Sequence, residues 1–185
     1  KERNLEEAFN YVKKTFEDIT GFLNPDYALD GCSAPNFSCS IKSLAKAMAV
    51  FANPENLQIN RIMSIAKLKN AVLSHPELIA GSDRLCTKIM KKSNGRLIVK
   101  VGAEGVYTAM LLDKGLGMAL KISDGSKRAA ECLIITLLVM LGYFKKDDQD
   151  FLNYLNSPIY NWSEKKTGVI RASDMVWAKG NFLDI

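Results

Sequence analysis

Apolar residues return every three or four positions at the start of the chain: Leu5, Ala8, Phe9, Val12, Phe16 and Ile19. That spacing lays them along one stripe of a helix. Gly21 stands just past the last turn as a cap, and Asn24-Pro25-Asp26 reads as a turn. The next stretch, LDGCSAPNFSCS, carries no such period and is dense in Asp, Gly, Ser, Pro and Asn. Irregular backbone is expected there. Leu44, Ala47, Met48 and Phe51 then share one face of a helix over 43–52, and Asn53-Pro54-Glu55 marks a restart. Two further helices are expected over 56–73 and 83–92. HPELIAG lies between them, with Pro76 suited to a first helical turn.

After Ser93-Asn94-Gly95 the pattern changes. Three short apolar segments follow, over 96–101, 106–112 and 116–123, joined by Gly102–Gly105 and Asp113–Gly115. Connections that short require antiparallel neighbours. Asp124-Gly125-Ser126 is a cap signal for a long helix over 127–141. A shorter helix is expected over 147–155 and a last strand over 168–171. The plan is α+β: a helical part (1–93), a three-stranded antiparallel sheet (96–123), then covering helices and tail (124–185).

The length of 185 residues allows one domain with a real core. The net charge of +5 comes from 25 basic and 20 acidic residues, and the basic ones are dispersed. A nucleic-acid binder gathers its positive charge on one face, so no nucleic-acid partner is expected. The apolar run 132–142 is too short to span a bilayer and reads as a buried helix, so no membrane partner is expected either. The cysteines, Cys32, Cys39, Cys86 and Cys132, form no C-x-x-C pair. A closed four-cysteine zinc site is therefore not expected, and reduced thiols of a cytoplasmic protein are.

Several short patterns carry candidate chemistry. G-x-x-G at 102–105 precedes a strand, not a helix, so a tight hairpin is favoured over a phosphate cradle. His75, the single histidine, precedes Pro76 and reads as a residue fixing a helix start. Three S-x-x-K matches occur (Ser43–Lys46, Ser64–Lys67, Ser163–Lys166), together with a literal Lys166-Thr167-Gly168. In a chain this rich in serine and lysine, such matches arise close to chance. Lys100-Val101-Gly102 differs because its position fits. The lysine ends a strand, the glycine opens a turn, and two antiparallel strands and a long helix follow. Penicillin-recognising enzymes place a K-x-G lysine at a serine nucleophile in this way, and a glycine there clears a substrate lying along the strand. Asp30-Gly31-Cys32 sets an acid and a thiol two residues apart, a pair that zinc would accept; the alternative is a plain loop cysteine.

DGCSAPN at 30–36, HPELIAG at 75–81, VKVGAEGVY at 99–107 and GLGMALKISDGSKRAAE at 115–131, in that order and spacing, resemble the C-terminal half of the Rhizobium-type L-asparaginases. The resemblance runs from about Asp30 to Arg171. It implies a serine β-lactamase/glutaminase-like fold and hydrolysis of L-asparagine to L-aspartate and ammonia through a serine nucleophile. It implies Lys100 as a catalytic residue, Gly102 and Glu104 at the substrate, and zinc held in part by Asp30 and Cys32. A homodimer is implied as well. The family's S-x-x-K nucleophile and its second zinc cysteine, in a C-S-G-K-H element, lie upstream of the matched region and are expected in sequence preceding Lys1. Two other readings stand beside this one: a penicillin-recognising serine acyl hydrolase, and a truncated homologue without enzymatic activity.

Overall fold

In the computed structural model, which describes residues 5–178, a helix α1 (Leu5–Thr20) leads into a hairpin of two three-residue strands, β1 (Tyr27–Leu29) and β2 (Pro35–Phe37). The helices α2 (Ile41–Ala52), α3 (Ile59–Ser74), α4 (Glu77–Ala80) and α5 (Leu85–Lys92) follow. Then come three strands, β3 (Leu97–Val101), β4 (Val106–Leu111) and β5 (Leu116–Lys121), and the helix α6 (Lys127–Met140). The described residues close with α7 (Leu152–Leu155), a second hairpin of β6 (Ser157–Tyr160) and β7 (Lys166–Ile170), and α8 (Asp174–Ala178). The architecture is α+β, as the pattern of apolar positions requires.

The central sheet is antiparallel in the order β3-β4-β5. Its register sorts the side chains onto two faces. Leu97, Val99, Tyr107, Ala109, Leu111 and Leu120 lie on one face and are buried. They join Cys86, Ile89 and Met90 of α5 and Ala130, Ile134, Ile135 and Leu138 of α6 in one core. Tyr107 shows how closely that layer packs: its hydroxyl lies 2.9 Å from Cys86 Sγ, and burial pushes its pKa up. The other face carries Lys100 on β3, Val106 and Thr108 on β4, and Gly117, Ala119 and Lys121 on β5. Here α2 lies directly on the sheet. A Cβ at Gly117 would overlap the Ala45 carbonyl, the Ala49 amide and the Met48 carbonyl carbon, so glycine is what lets the helix come this close.

Local capping follows the sequence. Ser40 accepts from the Ser43 amide at 3.0 Å to start α2, and Ser126 accepts from the Ala129 amide at 3.4 Å to start α6. Gly21 ends α1 with φ +68°, its amide donating to Glu17 O at 2.8 Å.

Three expectations need correction. The stretch after Leu29 is not wholly irregular, because its ends pair as β1 and β2 with Leu29 opposite Pro35. Strands this short show no sequence period, and the hairpin is held from outside: Phe9 and Phe16 of α1 stack against Tyr27 and Phe37 at 5.1–5.4 Å between ring centres. The part before residue 93 is thus not purely helical. The helix expected over 147–155 shrinks to Leu152–Leu155, because Asp148 turns the chain with its carbonyl, which accepts from Phe151 and Leu152. The last strand gains a partner, β6, that Pro158 disguised. No helix among the described residues is long and apolar enough to cross a membrane.

Candidate active site

Lys100 sits next to the end of edge strand β3, with its side chain exposed on the face that α2 covers in part. Its ammonium donates to Val101 O at 2.6 Å, and the Thr108 hydroxyl donates to Lys100 O at 3.3 Å from the neighbouring strand. The chain turns at once. The Gly102 amide donates to Val106 O at 2.9 Å and the Val106 amide to Ala103 O at 3.2 Å. The glycine pattern at 102–105 is therefore a hairpin turn, and no helix begins there. A Cβ on Gly102 would stand 3.1 Å from Val106 Cβ, so the turn itself favours glycine, apart from any substrate. Glu104 and Gly105 both take left-handed backbone, with φ +54° and +72°. For glutamate that conformation is unfavourable and needs outside support.

The support comes from the turn between β5 and α6. The Ile122 amide donates to Gly105 O at 3.0 Å. The Lys121 ammonium donates to Glu104 O at 2.5 Å and to Ile122 O at 2.6 Å. The Glu104 carboxylate rests on Gly125, where a Cβ would come within 2.7 Å of Oε2. Sequence reasoning singled out Lys100, Gly102 and Glu104 but missed Lys121 and Gly125. Parity was the available signal: Lys121 follows Gly117 and Ala119 at strand spacing, which puts it on the Lys100 face.

Asp30 and Cys32 occupy the tip of the first hairpin. The Ser33 amide donates to Asp30 O at 2.8 Å and the Asp30 amide to Ala34 O at 2.9 Å, with Ser33 at φ +66°. Both side chains are exposed. The Cys32 thiol and the Gly31 and Cys32 amides hold the Asp30 carboxyl below the usual carboxylate range. A thiol beside a charged carboxylate suits a zinc ion in kind, but supplies two donors where a closed site uses four. Among the described residues no group of three His, Cys, Asp or Glu side chains could hold a metal ion. Nor does any hydrogen bond or ion pair join the hairpin tip to the Lys100 turn among the described residues.

The serine–lysine patterns do not form pairs. Ser43 Oγ lies 3.1 Å from Ser40 Oγ, Lys46 points its ammonium at Gly21, and Ser64 donates to Asn60 O at 2.8 Å. Lys166-Thr167-Gly168 lies in β7, in an exposed hairpin separate from the central sheet. His75 closes α3 instead of opening a helix, its amide donating to Ala71 O at 3.1 Å while Pro76 caps α4, and its ring lies 3.7 Å from the Glu77 carboxylate. An apolar groove of about 380 Å³ runs between α1 and α2, lined by Tyr11, Val12, Phe16, Met48 and Phe51 among others, and contains none of the candidate residues.

A search of curated proteins returns no match. A family model does match: the one described as L-asparaginase II, over residues 7–172. That span takes in all but the first two residues of α1, the Asp30–Cys32 hairpin, the whole central sheet with its Lys100 turn, and the final hairpin. The chain belongs to the L-asparaginase II family.

Proposed function

We propose that this chain carries the strand-lysine side of an asparagine-hydrolysing site of the Rhizobium-type, zinc-containing kind, within a serine β-lactamase/glutaminase-like domain of which residues 1–185 are the C-terminal portion. The observation that carries the reading is the placement of Lys100: a strand lysine followed by a tight glycine turn, on the sheet face that α2 shares, inside the span of the family match. A serine from sequence preceding Lys1 attacks the side-chain amide carbon of asparagine. The C–N bond breaks, ammonia leaves, and an acyl-enzyme forms; water then releases aspartate. Lys100 takes up the hydroxyl proton or balances the charge that develops as the serine attacks. Gly102 leaves room for the substrate along the strand, and Glu104 shapes the turn beside it.

Asp30 and Cys32 are proposed as two zinc ligands, the others coming from outside the described residues. With the donor set incomplete, no step is routed through the metal. Zinc there would orient the α-amino and α-carboxylate ends of the substrate. The protein is proposed to act in the cytoplasm as a homodimer, a state that sedimentation equilibrium reads directly.

The test uses the protein as its gene encodes it. Lys100→Met is expected to lower kcat for asparagine by roughly a hundredfold or more, with the fold intact by circular dichroism. Near-normal turnover refutes the assignment. Cys32→Ser is expected to lower zinc content by elemental analysis and raise KM; equal zinc content removes Cys32 from the ligand set.

A further inference from the structure

We propose that Lys121 is a positioning residue for the Lys100 site, an inference that rests on the functional reading above. Lys121 lies on the same sheet face as Lys100, across β4, where it stands opposite Val106. Its ammonium spans two turns that are far apart in sequence. It donates to Glu104 O in the turn that follows Lys100 and to Ile122 O in the turn that leads to α6. Three further contacts lock the same turns together. The Ile122 amide donates to Gly105 O at 3.0 Å, and a Cβ on Gly105 would come within 2.8 Å of Ile122 Cβ and 3.0 Å of the Gly125 carbonyl carbon. Glu104 also packs against Gly125.

The ammonium acts on the one strained residue of the turn. Glu104 holds φ +54°, which a residue with a Cβ avoids unless its surroundings impose it. A cation on its carbonyl fixes the direction of that peptide group. Without it, Glu104 is free to relax towards negative φ. The turn would then shift, and the Gly102–Val106 bond that closes β3 just beyond Lys100 would loosen. A lysine suits this position because it offers a compact charge with three donors on a flexible stem, enough to serve two carbonyls at once. The side chain is exposed, so the core does not require it. Its work lies in the geometry of the turn.

The experiment compares Lys121→Met and Lys121→Arg with Lys114→Met in the protein as its gene encodes it. Lys114 occupies the turn at the opposite end of the same sheet and loses the same charge. Two measurements are made: steady-state asparagine hydrolysis, and amide hydrogen exchange at Ile122 and Val106. Lys121→Met is expected to lower kcat roughly tenfold to a hundredfold, with KM within about twofold. It is also expected to speed exchange at Ile122 and Val106 roughly tenfold, leaving the α5 and α6 amides protected. Lys121→Arg, which can still reach both carbonyls, is expected to restore most of both, and Lys114→Met to behave as wild type. Unchanged kcat in Lys121→Met overturns the proposal whenever Lys100→Met is inactive. A loss that Lys121→Arg does not relieve, or that extends to the exchange of α5 and α6, also overturns it. If the wild-type protein does not hydrolyse asparagine, the functional reading fails on its own. The exchange data then decide the clamp: fast exchange at Ile122 in Lys121→Met supports it and unchanged protection refutes it.

Discussion

Gly117→Ala probes the contact on which the site face depends. Gly117 lies on β5, opposite Met110, beneath α2. A methyl group there would meet the Ala45 carbonyl oxygen, the Ala49 nitrogen and the Met48 carbonyl carbon, all of them backbone. Side chains at the tip of a flexible stem can step aside, but helix backbone moves only as a body. The overpacking cost therefore falls at the upper end of the usual range, about 3 kcal/mol. Replacing glycine by alanine inside a strand returns about 0.5–1 kcal/mol of backbone entropy. The net is a destabilisation of about 2 kcal/mol, or about 4–8 °C in Tm for a chain of this size. Gly31→Ala serves as the control, because Gly31 has no positive φ and nothing within 4 Å of its Cβ position. It is expected to stay within about 0.5 kcal/mol of wild type. Urea and thermal denaturation of both variants measure the difference. Wild-type stability in Gly117→Ala would show that α2 does not rest on the sheet at this point, and the description of the Lys100 face would fall with it.

Two other expectations concern the cysteine thiols and the Tyr107 hydroxyl. Of the four free cysteines, Cys32 is exposed, Cys39 half-buried, and Cys86 and Cys132 buried. Titration of the zinc-free protein with a disulfide reagent should therefore give one fast thiol, one slow one, and two more only in denaturant. Burial raises the Cys39 pKa, so at a given pH less of it is thiolate. Its rate should still climb with pH where that of an ordinary thiol has levelled off, and a pH-independent Cys39 rate would refute the burial assignment. Tyr107→Phe removes the hydroxyl that lies 2.9 Å from Cys86 Sγ in the core and should cost about 1 kcal/mol in urea unfolding, with no loss contradicting that contact.

The parts of the fold that were legible in sequence are those with a long period or a short loop. α1, α2, α6 and the β3-β4-β5 meander all show one or the other, and their order alone gives the α+β plan. The illegible parts are held by contacts from elsewhere. β1 and β2 are too short to show alternation, and the aromatic residues that anchor them belong half to α1. β6 begins Ser157-Pro158, a pattern that reads as loop until β7 is set beside it. The candidate site divides in the same way. Lys100 and Gly102 could be found because a strand end and a tight turn leave a local mark. Parity places Lys121 on the same face, but the role of Lys121 and Gly125 leaves no local mark, because what they hold, the left-handed Glu104, lies in a different turn about 20 residues earlier in the chain.

This division bears on how the chemistry must be assembled. The described residues offer a strand cation next to a braced turn at one place and a carboxylate–thiol pair on a hairpin tip at another. Among the described residues the Lys100 ammonium donates to Val101 O and to no hydroxyl, and the Thr108 hydroxyl is engaged with the Lys100 carbonyl. Of the two S-x-x-K serines with mapped side-chain contacts, Ser43 pairs with Ser40 and Ser64 with a carbonyl of its own helix. On the reading proposed above, the serine reaches Lys100 from outside the described residues, and the surface that receives it has to be fixed beforehand. The bracing by Lys121, Ile122 and Gly125 does this by holding the turn after Lys100 in a conformation glutamate would otherwise leave. A lysine that accepts a proton from a hydroxyl gains most when the two atoms meet in one geometry. On that reading the clamped turn serves Lys100 by position and contributes no reacting atom of its own.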